Sequence, residues 1–246
     1  MTGIHLKSPW QSKMNVVSML LAPLFFGLLI LLMARGADDE RQTTAVVGAG
    51  LMGFWTVVIF GSAQVFHDMR RNGLLEIVVG APMSLLRAAL PHTFVTNLVG
   101  MLDFLLVTIM GRYVLGFTFT VRNWPYIAAT LVICLFAMTG MGICLSVFFI
   151  VTRDVYAWTN VMEFPLWILS GLTGVQVHLP WALDLLSRLL PTKWAMDATT
   201  SVLHGQVDST PLIAALLLGC CYLAAALPLV RAMQNMARRR ATLSLV

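Results

Sequence analysis

Charge is scarce in this chain. Only 11% of its 246 residues are Asp, Glu, Lys or Arg, while 59% are apolar; a typical soluble domain is about a quarter charged. A soluble surface needs charge over its whole extent, so the scarcity excludes an ordinary soluble domain. Lysine is rarer still: Lys7, Lys13 and Lys193 are the only ones, and none follows a glycine. A Walker A loop needs Gly-Lys and then Ser or Thr, so that backbone N–H groups and the lysine hold phosphate. The chain therefore has no P-loop ATPase site of its own. HExxH and GxSxG are also missing, which removes zinc-protease and serine-hydrolase chemistry and leaves an intramembrane enzyme without a catalytic constellation. Cys134, Cys144, Cys220 and Cys221 all lie in apolar runs with no second Cys or His placed to complete a metal site. Neither a disulfide framework nor a metal centre follows from them.

What remains is long apolar runs. Six stretches free or nearly free of charge lie at about 14–34, 44–66, 88–111, 124–151, 155–174 and 211–230. Each can cross a hydrocarbon layer of roughly 30 Å at about 1.5 Å per residue. In lipid the backbone must bond within its own segment, so the spans are helices. The expected fold is an all-α integral membrane protein of six transmembrane helices, forming a single domain over residues 1–246. Lys7 and Lys13 precede an apolar run too long for a signal-peptide core, so the first span is expected to be retained. Ile4, Leu6 and Trp10 between those lysines make an amphipathic N-terminal segment suited to the inner membrane surface.

Basic residues fix the orientation. With the N-terminus cytoplasmic, the inner segments hold Lys7, Lys13, Arg70, Arg71, Arg87, Arg153, Arg231, Arg238, Arg239 and Arg240. The outer ones hold Arg35, Arg41, Arg112, Arg122, Arg188 and Lys193. That ten-to-six split places both termini in the cytoplasm. The net charge of +5 is thus read as membrane orientation, with lipid headgroups as partner and no nucleic acid.

Two connections are longer than turns. The cytoplasmic one, from His67 to Arg87, mixes Met69, Leu74, Leu75, Ile77 and Val78 with Asp68, Arg70, Arg71 and Glu76, and is punctuated by Gly73 and Gly80-Ala81-Pro82. It reads as a short interfacial helix, a turn and re-entry into the membrane. It is either an amphipathic loop resting on lipid or a docking element for a soluble partner. The external one, 175–210, contains Leu179-Pro180-Trp181 opening a short apolar helix, Leu190-Pro191 breaking it, and a second helix from Trp194 to Leu203. Helices this short dip into the outer leaflet or pack on the helix ends.

Two carboxyls sit inside spans, Asp103 and Glu163. An ionised group there costs several kcal/mol unless paired, hydrated or protonated, so both should face protein or a water-filled cavity. Thr93, Asn97, Gly100 and Asp103 recur at three- and four-residue spacing and share one helix face. That face either lines the transport route or a subunit contact, or makes structural hydrogen bonds between helices. Gly48, Gly50 and Gly53, with Gly140 and Gly142, allow close helix approach.

Arg71-Asn72-Gly73-Leu74-Leu75-Glu76 followed by Ala81-Pro82-Met83-Ser84, at the exit of the second span, resembles the pattern of ABC-2-type export permeases. So do Ser170-Gly171, Leu179-Pro180, Leu190-Pro191, Asp197-Ala198 and Gly205 in order along the external connection. The chain departs from that pattern at Leu74, where Thr is common, and at Thr199-Thr200, where an Arg often follows Asp-Ala. The resemblance covers nearly the whole chain. It implies a coupling helix in which His67, Asp68, Arg70, Arg71, Gly73, Leu74 and Glu76 meet an ABC ATP-binding subunit, present in two copies. It also implies a second permease subunit, identical or paralogous, with Asn97, Gly100, Asp103 and Glu163 at the path or the subunit interface. ATP and Mg²⁺ then belong to the partner ATPase, and this chain binds no cofactor. The implied place is the bacterial inner membrane, and the implied activity is export of an amphipathic small molecule such as a drug or antibiotic, or alternatively of a lipid-linked glycan. A different class is an ATP-independent secondary transporter using Asp103 and Glu163.

Overall fold

The computed structural model describes residue 21 and residues 23–71, 85–117, 123–151, 155–173, 180–203 and 205–240. Its regular elements are all helical: α1 Pro23–Met33, α2 Asp39–Arg71, α3 Leu85–Ile109 with a π-helical turn at Met110–Val114, α4 Trp124–Val151, α5 Val155–Leu169, α6 Trp181–Ser187, α7 Pro191–Leu203 and α8 Thr210–Arg240.

Helices α2, α3, α4 and α8 are long and apolar enough to cross a bilayer. The chain is thus a multi-pass membrane protein. The two other expected spans look different. The first is described only from residue 21, where α1 is a shorter apolar helix. The fifth stops at Leu169 rather than Gly174, giving 15 residues, about 22 Å. Its end has a local cause. Gly171 adopts φ 69, which a residue with a Cβ rarely does. The Leu172 N–H reaches the Trp167 carbonyl at 3.1 Å and the Gly171 N–H reaches Ile168 at 3.1 Å, the Schellman closure of a helix. Conversely, α2 does not end at Phe66 and α8 does not end at Val230. Both continue past the apolar run, to Arg71 and Arg240.

Helix α2 is the centre. Its apolar stretch is 89% buried, against 22% for that of α8, and it packs on α3, α4, α5 and α7. A helix apolar on every side belongs in such a place. Acidic Asp39 and Glu40 occupy its first turn, where they complement the helix dipole. Its face toward α3 is lined with glycine. A Cβ on Gly50 would come within 2.5 Å of the Phe104 ring, and one on Gly53 would overlap a carboxylate oxygen of Asp103. These glycines serve close packing within the chain.

The two ends of the bundle differ. At one, Val65 of α2, Ala89 of α3, Ile143 and Val147 of α4, and Ala226 and Val230 of α8 form a cluster, and Arg70, Arg71, Arg87, Arg231 and Arg238–Arg240 lie on the helix segments at and beyond it. At the other, Leu31, Ala45, Val46, Ala49, Val107 and Phe117 close α1, α2 and α3 together. Helices α6 and α7 belong to this second end. Leu190, Ala195 and Met196 are buried in the main core, so α7 is set into the bundle, while α6 leaves Trp181, Leu185 and Leu186 exposed.

Candidate functional site

Four of the expected coupling residues, His67, Asp68, Arg70 and Arg71, form the last turn of α2. The sequence suggested a separate interfacial helix beginning at His67; the backbone instead runs on unbroken from the membrane stretch. Helix propensity explains this, since charge ends an apolar span but does not end a helix. Two arginines at a helix C-terminus also complement its dipole. Gly73, Leu74 and Glu76 lie outside the described residues.

The α3 face is buried as its spacing required: Thr93 is 1% exposed and Asn97 and Asp103 are wholly buried. These residues do different things. The Asn97 amide meets Thr139 Oγ1 of α4 at 3.0 Å whichever way the amide is turned, which ties α3 to α4. Gly100 admits the Phe54 ring of α2, 2.5 Å from where a Cβ would stand. Asp103 points at Gly53, and neither of its oxygens has a hydrogen-bond partner among the described residues.

Glu163 lies on α5 and meets α2 one turn beyond Gly53. Its Oε1 is 2.5 Å from Thr56 Oγ1, and both side chains are buried. Thr56 is only one turn beyond Gly53. The two intramembrane carboxyls, distant in sequence, therefore converge on one short stretch of α2 from two neighbouring helices. Thr56 carries no local sequence signal: it is a lone threonine in an apolar run, and its partner is 107 positions away.

The opposite end of α2 is pinned to the short helices. A Cβ on Gly48 would overlap the Leu172 carbonyl just past α5, so glycine is what lets that turn rest on α2. Ser170 Oγ and Thr192 Oγ1 share a 2.8 Å hydrogen bond from the end of α5 to the start of α7. Tyr222 of α8 donates to the Leu189 carbonyl at 2.6 Å, and Tyr126 of α4 donates to the Asp208 carbonyl. On α7 itself Lys193 pairs with Asp197 at 3.0 Å. One helix thus joins the α6–α7 region to the basic end.

Among the described residues no group of His, Cys, Asp and Glu is arranged to hold a metal ion. The family model for the ABC-2 type transporter matches residues 3–204, well over half of the chain. No curated protein and no solved structure gives a match.

Proposed function

The chain belongs to the ABC-2 type transporter family, and we propose that it is the transmembrane permease subunit of an ATP-driven exporter. It carries an amphipathic small molecule, such as a drug or antibiotic, out of the cell. Two copies of a separate ATP-binding subunit supply ATP and Mg²⁺ and dock on the connection from His67 to Arg87. A second permease chain, identical or paralogous, completes the path. In this reading the chain makes six spans in the bacterial inner membrane with both termini cytoplasmic.

The observation that supports it most is the course of α2. Its apolar stretch is 89% buried, and the helix touches the turn after α5 at Gly48 and continues to Arg71 at the start of the docking connection. From Gly48 to Arg71 is about 35 Å of helix. Binding of nucleotide by the ATPase pair favours one arrangement of the docked connections. The permease pair then shifts population by the difference in binding free energy between its two states.

Reconstitution tests the reading. Vesicles holding this chain and its ATP-binding subunit should move an amphipathic cargo only with hydrolysable nucleotide, and Arg71→Glu with Glu76→Lys should abolish co-purification of that subunit. Transport by the purified chain alone under an ion gradient would overturn the reading in favour of a secondary transporter using Asp103 and Glu163. Nucleotide-driven movement of a lipid-linked glycan, with no small amphipathic cargo moved, would keep the machinery and replace the cargo.

A further inference from the structure

We infer that Glu163 is carried as the un-ionised acid and that its own hydrogen, given to Thr56, pins α5 to α2. Thr56 Oγ1 lies 3.0 Å from the Met52 carbonyl and 2.5 Å from Glu163 Oε1. A hydroxyl has one hydrogen to donate, and both a carbonyl and an ionised carboxylate only accept. With Glu163 ionised, one of the two contacts sets lone pairs against lone pairs. With Glu163 un-ionised the chain closes: its O–H donates to Thr56, and Thr56 donates to the Met52 carbonyl. Bonding four residues back is also what the other helical threonines here do, since Thr43, Thr93, Thr130, Thr139 and Thr199 all reach the i−4 carbonyl.

The surroundings agree. Glu163 is 6% exposed and Thr56 4%, and no lysine or arginine among the described residues pairs with Glu163. An unpaired buried carboxylate is among the costliest groups a protein can hold. Each neighbouring element leaves it without a counter-charge. On α5 the other titratable residue is Tyr156, about two turns away. Helix α1 has none. Helix α2 carries charge only near its two ends, at Asp39, Glu40 and Arg41 and at His67–Arg71. Helix α3 contributes Asp103, itself acidic, against Gly53. On α6, Asp184 is paired with Arg188 at 2.8 Å. On α7, Lys193 is paired with Asp197. Loss of the Glu163 proton to water would replace a hydrogen bond by a lone-pair contact and loosen the α2–α5 seam, so the seam is closed only while the acid holds its hydrogen.

The inference stands apart from the transport reading, because its test needs neither nucleotide nor cargo. The chain's glutamates are Glu40, Glu76 and Glu163, so carboxyl-¹³C glutamate labels few groups. In lipid nanodiscs at neutral pH, the infrared spectrum of the labelled full chain should contain an un-ionised C=O band that shifts with the label. Glu163→Gln should remove it. If that variant does not fold, the E40Q/E76Q chain, whose only glutamate is Glu163, should retain it. Thr56→Val should move the band to higher frequency and Thr56→Ser should not. A spectrum in which label-sensitive intensity is confined to carboxylate bands overturns the proposal, and a band indifferent to Thr56→Val overturns the pin.

Discussion

Gly53→Ala should destabilise the protein, and it should do so only while Asp103 is present. Two terms compete. Alanine is the better helix former by about 1 kcal/mol, so on propensity alone the change stabilises. Against this, the new Cβ would overlap the Asp103 carboxylate oxygen, with the Pro23 Cβ 3.4 Å away on its other side. Asp103 is wholly buried and has little room to swing clear, because Phe104 beside it is already pressed on Gly50. Overpacking of a closed interior costs about 1–3 kcal/mol, so the net expected loss is up to about 2 kcal/mol. Removing the carboxylate reverses the balance. In an Asp103→Ala background the space is vacated and the helix term survives, so Gly53→Ala should become neutral or stabilising by up to about 1 kcal/mol. Reversible unfolding of the purified chain in mixed micelles titrated with denaturing detergent, run on the four members of the cycle, measures this directly. The coupling between the two sites should fall at about 1–3 kcal/mol. Equal effects of Gly53→Ala in both backgrounds would refute the packing of α3 on α2 described above.

Three further outcomes follow from separate contacts. Gly171→Ala puts a Cβ on a residue at φ 69 and should lower stability by about 1–2 kcal/mol, read as a lower detergent-unfolding midpoint; an unchanged midpoint would mean that the turn after α5 is not closed in this way. Asn97→Ala should cost about 1–3 kcal/mol by leaving a buried polar group without its partner, whereas Asn97→Leu combined with Thr139→Val should cost less than the two single changes added together, which a double-mutant cycle in the same micelles decides. Asp208 accepts the Thr210 N–H at 2.9 Å, and that bond holds its carboxyl below its ordinary value of 3.8. Its stabilising effect is therefore fully present above 3.8 and is lost as pH falls through the lowered value. Asp208→Asn should lower the melting temperature slightly at neutral pH and flatten its fall over that acidic window, where the wild-type chain has lost the same stabilisation.

The membrane character was legible because transfer of charge into lipid is so unfavourable that charges mark span edges residue by residue. Trp124–Val151 was placed that way and stands. The same marker places the ends of spans and not the ends of helices, for a physical reason. Charge at His67, Asp68, Arg70 and Arg71 marks where lipid ends, but a helix leaving lipid keeps its own hydrogen bonds and continues into water, as α2 and α8 do. In α5 the helix stops at Leu169, short of the expected span bound at Gly174, because Gly171 turns the chain there. The break at Leu190-Pro191 was legible, since proline cannot continue a helix; the second helix, expected from Trp194, begins three residues earlier at Pro191, because proline suits a first helical position. The buried α3 face followed from spacing alone. Its partners did not. Nothing local to Glu163 names Thr56, and nothing local to Asn97 names Thr139, because those pairings come from how whole helices cross.

These crossings restrict how the bundle can move. Helix α2 is held by α3 through the glycine contacts at Gly50 and Gly53, by α5 through Glu163 and Thr56, and by the turn after α5 through Gly48. Close-packed interiors shift between discrete arrangements and do not deform smoothly. A displacement applied at His67–Arg71 therefore cannot be absorbed by sliding α2 alone: Phe104 and Asp103 would be driven off the glycines that admit them. Either α2 carries α3 and α5 with it, or it breaks the pin between Thr56 and Glu163. Because the turn that closes α5 also bonds to α7 through Ser170 and Thr192, motion that keeps the pin intact carries α5 and α7 together, whereas motion that breaks it reaches α7 only through the direct contacts of α2 with α7 and with the turn at Gly48. Cross-linking α2 to α5 by a cysteine pair at Thr56 and Glu163 should separate the two cases. Under oxidising conditions the cross-linked chain keeps nucleotide-driven transport if the helices travel together, and loses it if their separation is part of the cycle.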